Sequence, residues 1–532
     1  MPTAAPSSPT VREAMFALLR EFGLTTVFGN PGSTELPMLV DFPDDFRYVL
    51  GLQESVVVGM ADGYAQATRN AAFVNLHSAV GVGHAMGAIF TACRNRTPMV
   101  ITAGQQSRPI LPFDPFLASV RATELPQPYV KWAVEPARAE DVPLAVARAY
   151  YLAMMPPRGP VLVSVPADDW GVRTQHLAAR RVASALRPDP ALLQQIGDAL
   201  DAARAPAFVI GAAVDRDGAW HEALQLAERH AARVFIAPMS GTCGFPGDHA
   251  LFAGHLSAMR EHIAATLAPH DVVLALGAPA FTYHVAGDGP HLPPGATLCQ
   301  LTDDPDTAAW APQGSAVLCS LKLGLQDLLA RPAPAARAMP ARWSRPARVA
   351  PPAAGARLSA AYVLQTLADV RGADSIVVEE APSARPVMHE RLPILRPATF
   401  YEMDSGGLGF GMAAAVGVAL ARPDARVIAL IGDGSAMYTI QALWNAAQAK
   451  LPVTFIILNN GRYAALQDFA PRFGFAAGAK PEGSDLPGLD FVALAAGHGV
   501  PAQRIRTAAE LHSALPAALR AEGTLLLDIL IA

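Results

Sequence analysis

The residue types with the clearest chemical potential are gathered between Gly432 and Arg462. Gly432-Asp433-Gly434-Ser435 follows an apolar run, Ala425 to Ile431, and precedes a segment of helical character, Met437 to Lys450. A second apolar run, Val453 to Leu458, ends at Asn459-Asn460-Gly461. Apolar runs bounded by turn residues are the pattern of buried parallel strands, so the stretch reads as a strand–helix–strand unit. Glycines at the strand-to-helix turn let backbone N–H groups approach an anion, and the helix N-terminus adds its positive dipole end. Asp433 offers a hard carboxylate oxygen, and Asn460 an amide oxygen. Mg²⁺ usually takes one or two such protein oxygens and completes its shell with phosphate oxygens and water. The unit therefore reads as a seat for a diphosphate held through a divalent cation. A lone GDG would fit any strand-to-helix corner; here turn, metal oxygens and crossover length coincide.

Four further residues could carry proton transfer or substrate contacts. Ser33 stands in FGNPGST, at a strand-to-helix turn where it reads first as the helix N-cap, with Glu35 in the first turn. Glu54 opens an apolar helical stretch, SVVVGMADGYAQAT, and a carboxylate in such surroundings needs a partner. His77 ends the strand Ala72 to Leu76 and precedes a glycine-rich turn, Ala79 to Gly83, and a helix from His84 to Cys93. Gly81 and Gly83 suggest a dinucleotide fingerprint, but Met86 occupies the place of its third glycine, and that reading is rejected. His284 lies in a loop, GAPAFTYH, beyond a strand's carboxyl end, where ligands gather in open α/β sheets.

Positioning these groups takes a large protein. The 532 residues give a prior of about three domains, and 52% hydrophobic against 16% charged residues describes a well-buried globular chain. Strands alternating with helices predict a parallel-sheet α/β fold in three domains, at 1–183, 190–335 and 358–532, with a Pro-, Ala- and Arg-rich linker at 336–357. A net charge of -5 argues against a nucleic-acid binder. The chain has no apolar run of membrane-spanning length and starts without a signal-peptide pattern, so a cytoplasmic enzyme is expected. The four cysteines, dispersed and without a CxxC pair, read as reduced core residues.

FGNPGST, LQE (Leu52 to Glu54), NLHSAVGVGHAMGA, GAPAFTYH, SGGLGF and GDGS through NNGRYAAL occur in unbroken order over nearly the whole chain. In this the sequence resembles the thiamin diphosphate-dependent 2-oxoacid decarboxylases, and among them the benzoylformate decarboxylases. The resemblance implies pyrimidine-binding, central and diphosphate-binding domains, and a homotetramer with active sites between subunits. It implies that Glu54 engages the pyrimidine ring nitrogen, that Leu408 holds the cofactor bent, and that the Gly406 carbonyl receives its amino group. By the same resemblance Asp433, Asn460 and the main-chain oxygen of Arg462 would bind Mg²⁺ or Ca²⁺. Gly434, Ser435 and Tyr463 would meet the diphosphate, and Pro382 and Ser383 would lie beside the cofactor. Ser33, His77 and His284 match the serine and two histidines that handle substrate and protons, which suits side chains titrating near neutrality.

The implied reaction is decarboxylation of a 2-oxo acid, with benzoylformate going to benzaldehyde and CO₂. The alternatives are a carboligase of the acetohydroxyacid synthase kind and a decarboxylase of aliphatic substrates. Phe116, Leu117, Ala465, Leu466 and Phe469 are expected to form an apolar substrate pocket. Glu402 falls where an aromatic pocket residue is expected, and is expected to turn to solvent or be paired. Two other departures are Pro382 and Arg462, each standing where a threonine is usual.

Overall fold

The computed structural model describes residues 8–353 and 355–532, and the seven leading residues on which the signal-peptide reading rests lie outside it. The first sheet is built from β1 (Thr26–Gly29), β2 (Arg47–Leu50), β3 (Ala72–Leu76), β4 (Met99–Gln105), β5 (Ala133–Val134) and β6 (Pro160–Pro166). The middle sheet comprises β7 (Pro206–Ile210), β8 (Arg233–Ile236), β9 (Phe252–His255), β10 (Val272–Leu276), β11 (Thr297–Thr302) and β12 (Ser315–Leu318). The third holds β13 (Ile376–Glu380), β14 (Phe400–Tyr401), β15 (Val427–Gly432), β16 (Val453–Asn459), β17 (Ala502–Ile505) and β18 (Leu525–Leu530).

Neighbouring strands pair in parallel in each sheet. The central ones, β3, β4, β6, β7, β10 and β13, are buried along their whole length, as sheets covered by helices on both faces require. Short strands such as β5 and β17 carry no continuous apolar run, and the sequence pattern did not announce them.

Strand order is β2-β1-β3-β4-β6-β5 in the first sheet and β14-β13-β15-β16-β18-β17 in the third, so the two share one topology. The middle sheet differs, running β12-β11-β10-β7-β8-β9. In a doubly wound sheet ligands bind outside the carboxyl ends of the strands where the order reverses. That place lies between β1 and β3 in the first sheet, and between β13 and β15 in the third.

The two outer units share a core. The helix Glu54–Thr68 packs on the helix Gly411–Ala421 with backbones in contact, and glycines make the approach possible. A Cβ on Gly417 would sit 1.9 Å from the Met60 carbonyl oxygen, and one on Gly63 2.2 Å from that of Ala414. Residues 331–357 contain no helix or strand among those described. The segment is tied down by arginines: Arg337 donates to the carbonyls of Leu200, Asp201 and Ala203, and Arg345 to those of Gly247 and Glu390. All four cysteines are free. Among the described residues no helix is long and apolar enough to cross a membrane.

Candidate active site

The first group of site residues gathers at the carboxyl ends of β1 and β3. His77 follows β3 directly, and Ser78 after it has φ +44, a left-handed conformation that costs a non-glycine residue about 1–3 kcal/mol. This turn takes the chain from strand straight into the helix Ser78–Arg94. The expected glycine-rich turn before a helix at His84 is therefore absent, and Gly81 and Gly83 lie within the helix. The His77 ring rests on the backbone of Gly32, where a Cβ would be 2.2 Å from Nδ1. Glycine is needed there.

Glu35, only 1% exposed, stands 2.8 Å from His77 Nδ1 through its Oε2. The same oxygen accepts the Gly32 N–H at 2.8 Å, and Oε1 accepts the Thr34 hydroxyl at 2.6 Å. A carboxylate held this way keeps the proton of a neutral His77 on Nδ1 and leaves Nε2 to face a ligand. Glu35 was read from sequence as a helix-start residue. The signal that could have identified it is the one that marked Glu54: an acid set directly before an apolar segment, here Leu36-Pro37-Met38-Leu39. Ser33 is not an N-cap, because the short helix Leu36–Leu39 starts after Glu35; Ser33 is exposed at the turn.

Glu54 is the first residue of its helix, capped by Gln53, whose side-chain oxygen accepts the Ser55 N–H at 2.6 Å. It is 8% exposed, and its Oε2 lies 3.1 Å from His84 Nδ1. The partner that its apolar setting requires is thus a histidine.

The second group lies at the carboxyl ends of β13 and β15. Asp433 is 4% exposed; its Oδ1 accepts the Gly434 N–H at 2.9 Å and its Oδ2 the Gly461 N–H at 2.6 Å. Burial raises its pKa, against the lowering effect of those N–H groups. Asn460 turns its side-chain oxygen inward, accepting the Arg462 N–H at 3.0 Å. The Tyr463 ring covers Gly434, where a Cβ would meet it at 2.2 Å. The helix expected from Met437 to Lys450 is divided into Asp433–Ala436 and Ala442–Gln448.

Glu380, which sequence reasoning passed over, fixes the SGGLGF loop by accepting the N–H of Gly409 at 2.6 Å and also that of Gly411. Burial pushes its carboxyl up to about 7. Gly406, at φ +71, and the partly buried Leu408 belong to this loop. Pro382 and Ser383 follow β13, and a Cβ on Gly432 would lie 3.7 Å from Ala381 Cα, so these turns adjoin.

The donor set suits a hard cation with a diphosphate. It comprises oxygens only, from one carboxylate, one amide and main chain, and no cluster of three His, Cys, Asp or Glu able to hold a metal occurs among the described residues. Phosphate oxygens would have to complete the shell. Arg462 Nε is buried without a hydrogen-bond partner, a donor that a bound anion could satisfy.

His284 is exposed, and its ring meets that of Phe469 edge-on with centroids 4.5 Å apart. The middle-domain tip therefore joins the third-domain group. Ala465 is partly buried and Leu466 is 54% exposed beside Phe469, while Phe116 is 83% exposed on the first unit and Leu117 has φ +64. Among the described residues, no hydrogen bond or ring contact joins the Ser33–Glu54–His77 group to the Asp433–Asn460–His284 group within one chain. Glu402 does not face solvent: it is 2% exposed, with Oε2 3.2 Å from Arg385 Nε, which also binds Glu379 at 2.8 Å. Burial raises its pKa well above the usual range, Arg385 opposing and Glu379 adding to the shift.

Three family models match in chain order: the thiamine pyrophosphate enzyme N-terminal TPP binding domain at residues 9–124, the central domain at 193–328 and the C-terminal TPP binding domain at 384–529. The chain is 46% identical over 524 residues to benzoylformate decarboxylase of Pseudomonas aeruginosa, covering 98% of each. It belongs to the thiamin diphosphate-dependent 2-oxoacid decarboxylase family. Among solved members, the 4-hydroxybenzoylformate decarboxylase of Rhodococcus jostii RHA1 superposes with a TM-score of 0.94 at 42% identity, covering 98% of this chain and 99% of that one. Benzoylformate decarboxylase from Polynucleobacter necessarius gives 0.94 at 38% identity, covering 98% of both. As a member of this family the chain is a thiamin diphosphate-dependent carboxy-lyase. Its three parallel six-stranded sheets are the family's three domains.

Proposed function

We propose that this enzyme decarboxylates an aryl 2-oxo acid, benzoylformate above others, to the aldehyde and CO₂, with Mg²⁺ or Ca²⁺ anchoring thiamin diphosphate. The observation that supports the substrate class is that Glu402 is buried beside Arg385, while the residues expected to line the pocket, Phe116, Leu117, Ala465, Leu466 and Phe469, are all apolar. A buried unpaired charge would have opposed an aryl ring, and that objection is removed. Burying a phenyl ring is worth roughly 1.5–3 kcal/mol, or about one to two powers of ten in affinity.

Asp433, Asn460 and the main-chain oxygen of Arg462 would hold the cation, while Gly434, Ser435 and Tyr463 meet the diphosphate. Leu408, the Gly406 carbonyl, Pro382 and Ser383 would orient the rest of the cofactor. When bound, thiamin diphosphate supplies the carbanion that adds to a 2-oxo carbon and the electron sink for loss of CO₂. Glu54 serves the pyrimidine ring nitrogen through its carboxyl. Ser33 orients the substrate carboxylate, and His77, its Nδ1–H held by Glu35, enters this step as the imidazolium, gives its Nε2 proton to the former 2-oxo oxygen and takes it back as product leaves. His284 delivers a proton to the carbon from which CO₂ departs. Phe113, Phe116 and Val120, each at least 80% exposed, support a homotetramer whose sites are completed by a second copy.

The test is a panel of 2-oxo acids assayed for CO₂ and aldehyde. Benzoylformate should exceed pyruvate in kcat/KM by at least about tenfold, a discrimination that a small difference in pocket fit can supply. Pyruvate or a branched aliphatic acid as best substrate overturns the aryl reading, and acetolactate as main product overturns the decarboxylase reading in favour of a carboligase.

A further inference from the structure

We propose that His84 is a positioning residue for Glu54, fixing which carboxyl oxygen carries the proton offered to the cofactor. The role rests on the reading above that Glu54 serves the pyrimidine. Gly81 and His84 stand three residues apart in the helix Ser78–Arg94 and so share a face, with His77 as the residue that caps its start. The Glu54 side chain lies against the gap in that face: a Cβ on Gly81 would be 3.3 Å from Glu54 Oε1 and 3.5 Å from His77 Cβ. On the far side of the gap, His84 Nδ1 reaches Glu54 Oε2 at 3.1 Å. The two helices are tied again where the Ser55 hydroxyl donates to the His84 carbonyl at 2.6 Å. The backbone carrying the imidazole is thereby fixed to the first turn that carries the carboxyl.

The consequence follows from the two oxygens. Donation from His84 Nδ1–H makes Oε2 the acceptor, and a proton on Glu54 then resides on Oε1, which has no hydrogen-bond partner among the described residues. Oε1–H is the group able to donate to a ring nitrogen. Among the described residues no lysine or arginine is ion-paired with Glu54.

The test uses the full-length enzyme loaded with thiamin diphosphate and Mg²⁺. Cofactor Kd is read by intrinsic fluorescence, and exchange of the cofactor's C2 proton with D₂O by NMR after acid quench. His84→Ala should bind cofactor with wild-type Kd and slow exchange by at least about tenfold, toward the range that positioned proton transfer supplies. His84→Asn can still donate to Oε2 and should restore exchange to near the wild-type rate. Should His84→Ala fail to load, His84→Leu, which fills the space without a donor, decides by the same slowed exchange. Wild-type exchange in His84→Ala or His84→Leu, or exchange in His84→Asn as slow as theirs, overturns the role of His84 alone. Failure of the wild-type protein to bind thiamin diphosphate overturns the proposed function and this role with it.

Discussion

Replacing Glu35 by glutamine tests the hydrogen-bonded pair on which the proton chemistry of His77 rests. Glu35 is enclosed, its Oε2 shared between His77 Nδ1 and the Gly32 N–H, both at 2.8 Å, and its Oε1 taken by Thr34. A glutamine can keep its carbonyl oxygen toward Gly32 and His77 and turn its amide toward the Thr34 hydroxyl, which rotates to accept. The fold and the His77 tautomer then survive, and what is lost is negative charge. Hydrogen bonds to charged groups contribute about 1.5–3 kcal/mol against about 0.5–1.5 for neutral ones. The difference, about 1–1.5 kcal/mol at the imidazole, corresponds to roughly a tenfold fall in kcat through a less favourable imidazolium. Enclosure of the carboxylate adds to this, so the expectation is a loss of about 10- to 100-fold, at most the lower end of the roughly 10²–10⁴ that a positioned acid–base group can contribute in all. Cofactor affinity should not change, because Glu35 touches neither the Glu54 pair nor the Asp433 turn. The assay is aldehyde release under saturating substrate, with bound cofactor quantified in the same preparation. A fully loaded Glu35→Gln enzyme turning over within about twofold of wild type would refute the coupling of Glu35 to His77.

Gly417→Ala should lower the melting temperature by several degrees and weaken cofactor binding, since its Cβ would stand 1.9 Å from the Met60 carbonyl and overpacking costs about 1–3 kcal/mol or more; an unchanged thermal scan would contradict the helix contact described. His255 and His389 stack with ring centroids 3.7 Å apart, and burial lowers the His255 pKa to about 3 and that of His389 well below normal. Both rings are neutral when folded, so the unfolded chain binds more protons between about pH 3 and 6.5, and stability should fall as pH drops through that window. Glu380, raised to about 7, contributes the opposite slope, because stability falls as pH rises from 4.5 to about 7. The difference between wild type and His255→Phe isolates the histidine term, and parallel melting-temperature profiles would count against it.

The strand, turn and return strand around Asp433 were legible because their signals are local: glycines at one turn, an acid beside them, and apolar runs that only buried parallel strands explain. The same locality made β3 and β16 readable nearly to the residue, as their runs are largely apolar and their ends are marked by turn residues. The helix from Ser78 was misread for a related reason, since Gly81 and Gly83 look like turn residues until Glu54, brought from another helix, is seen lying against Gly81. Tertiary structure alone decided which acids serve which partners. Glu35 meets His77 across 42 residues, Glu54 meets His84 across 30, and Glu380 meets Gly411 across 31. Such pairings arise from strand order, which sets distant chain segments side by side at one sheet edge and leaves no periodic trace in sequence. The destination of Glu402 was hidden in the same way: sequence placed an acid where an aromatic pocket residue is expected, while only the fold, which brings the residue after β14 to Arg385, could supply the cation beside it.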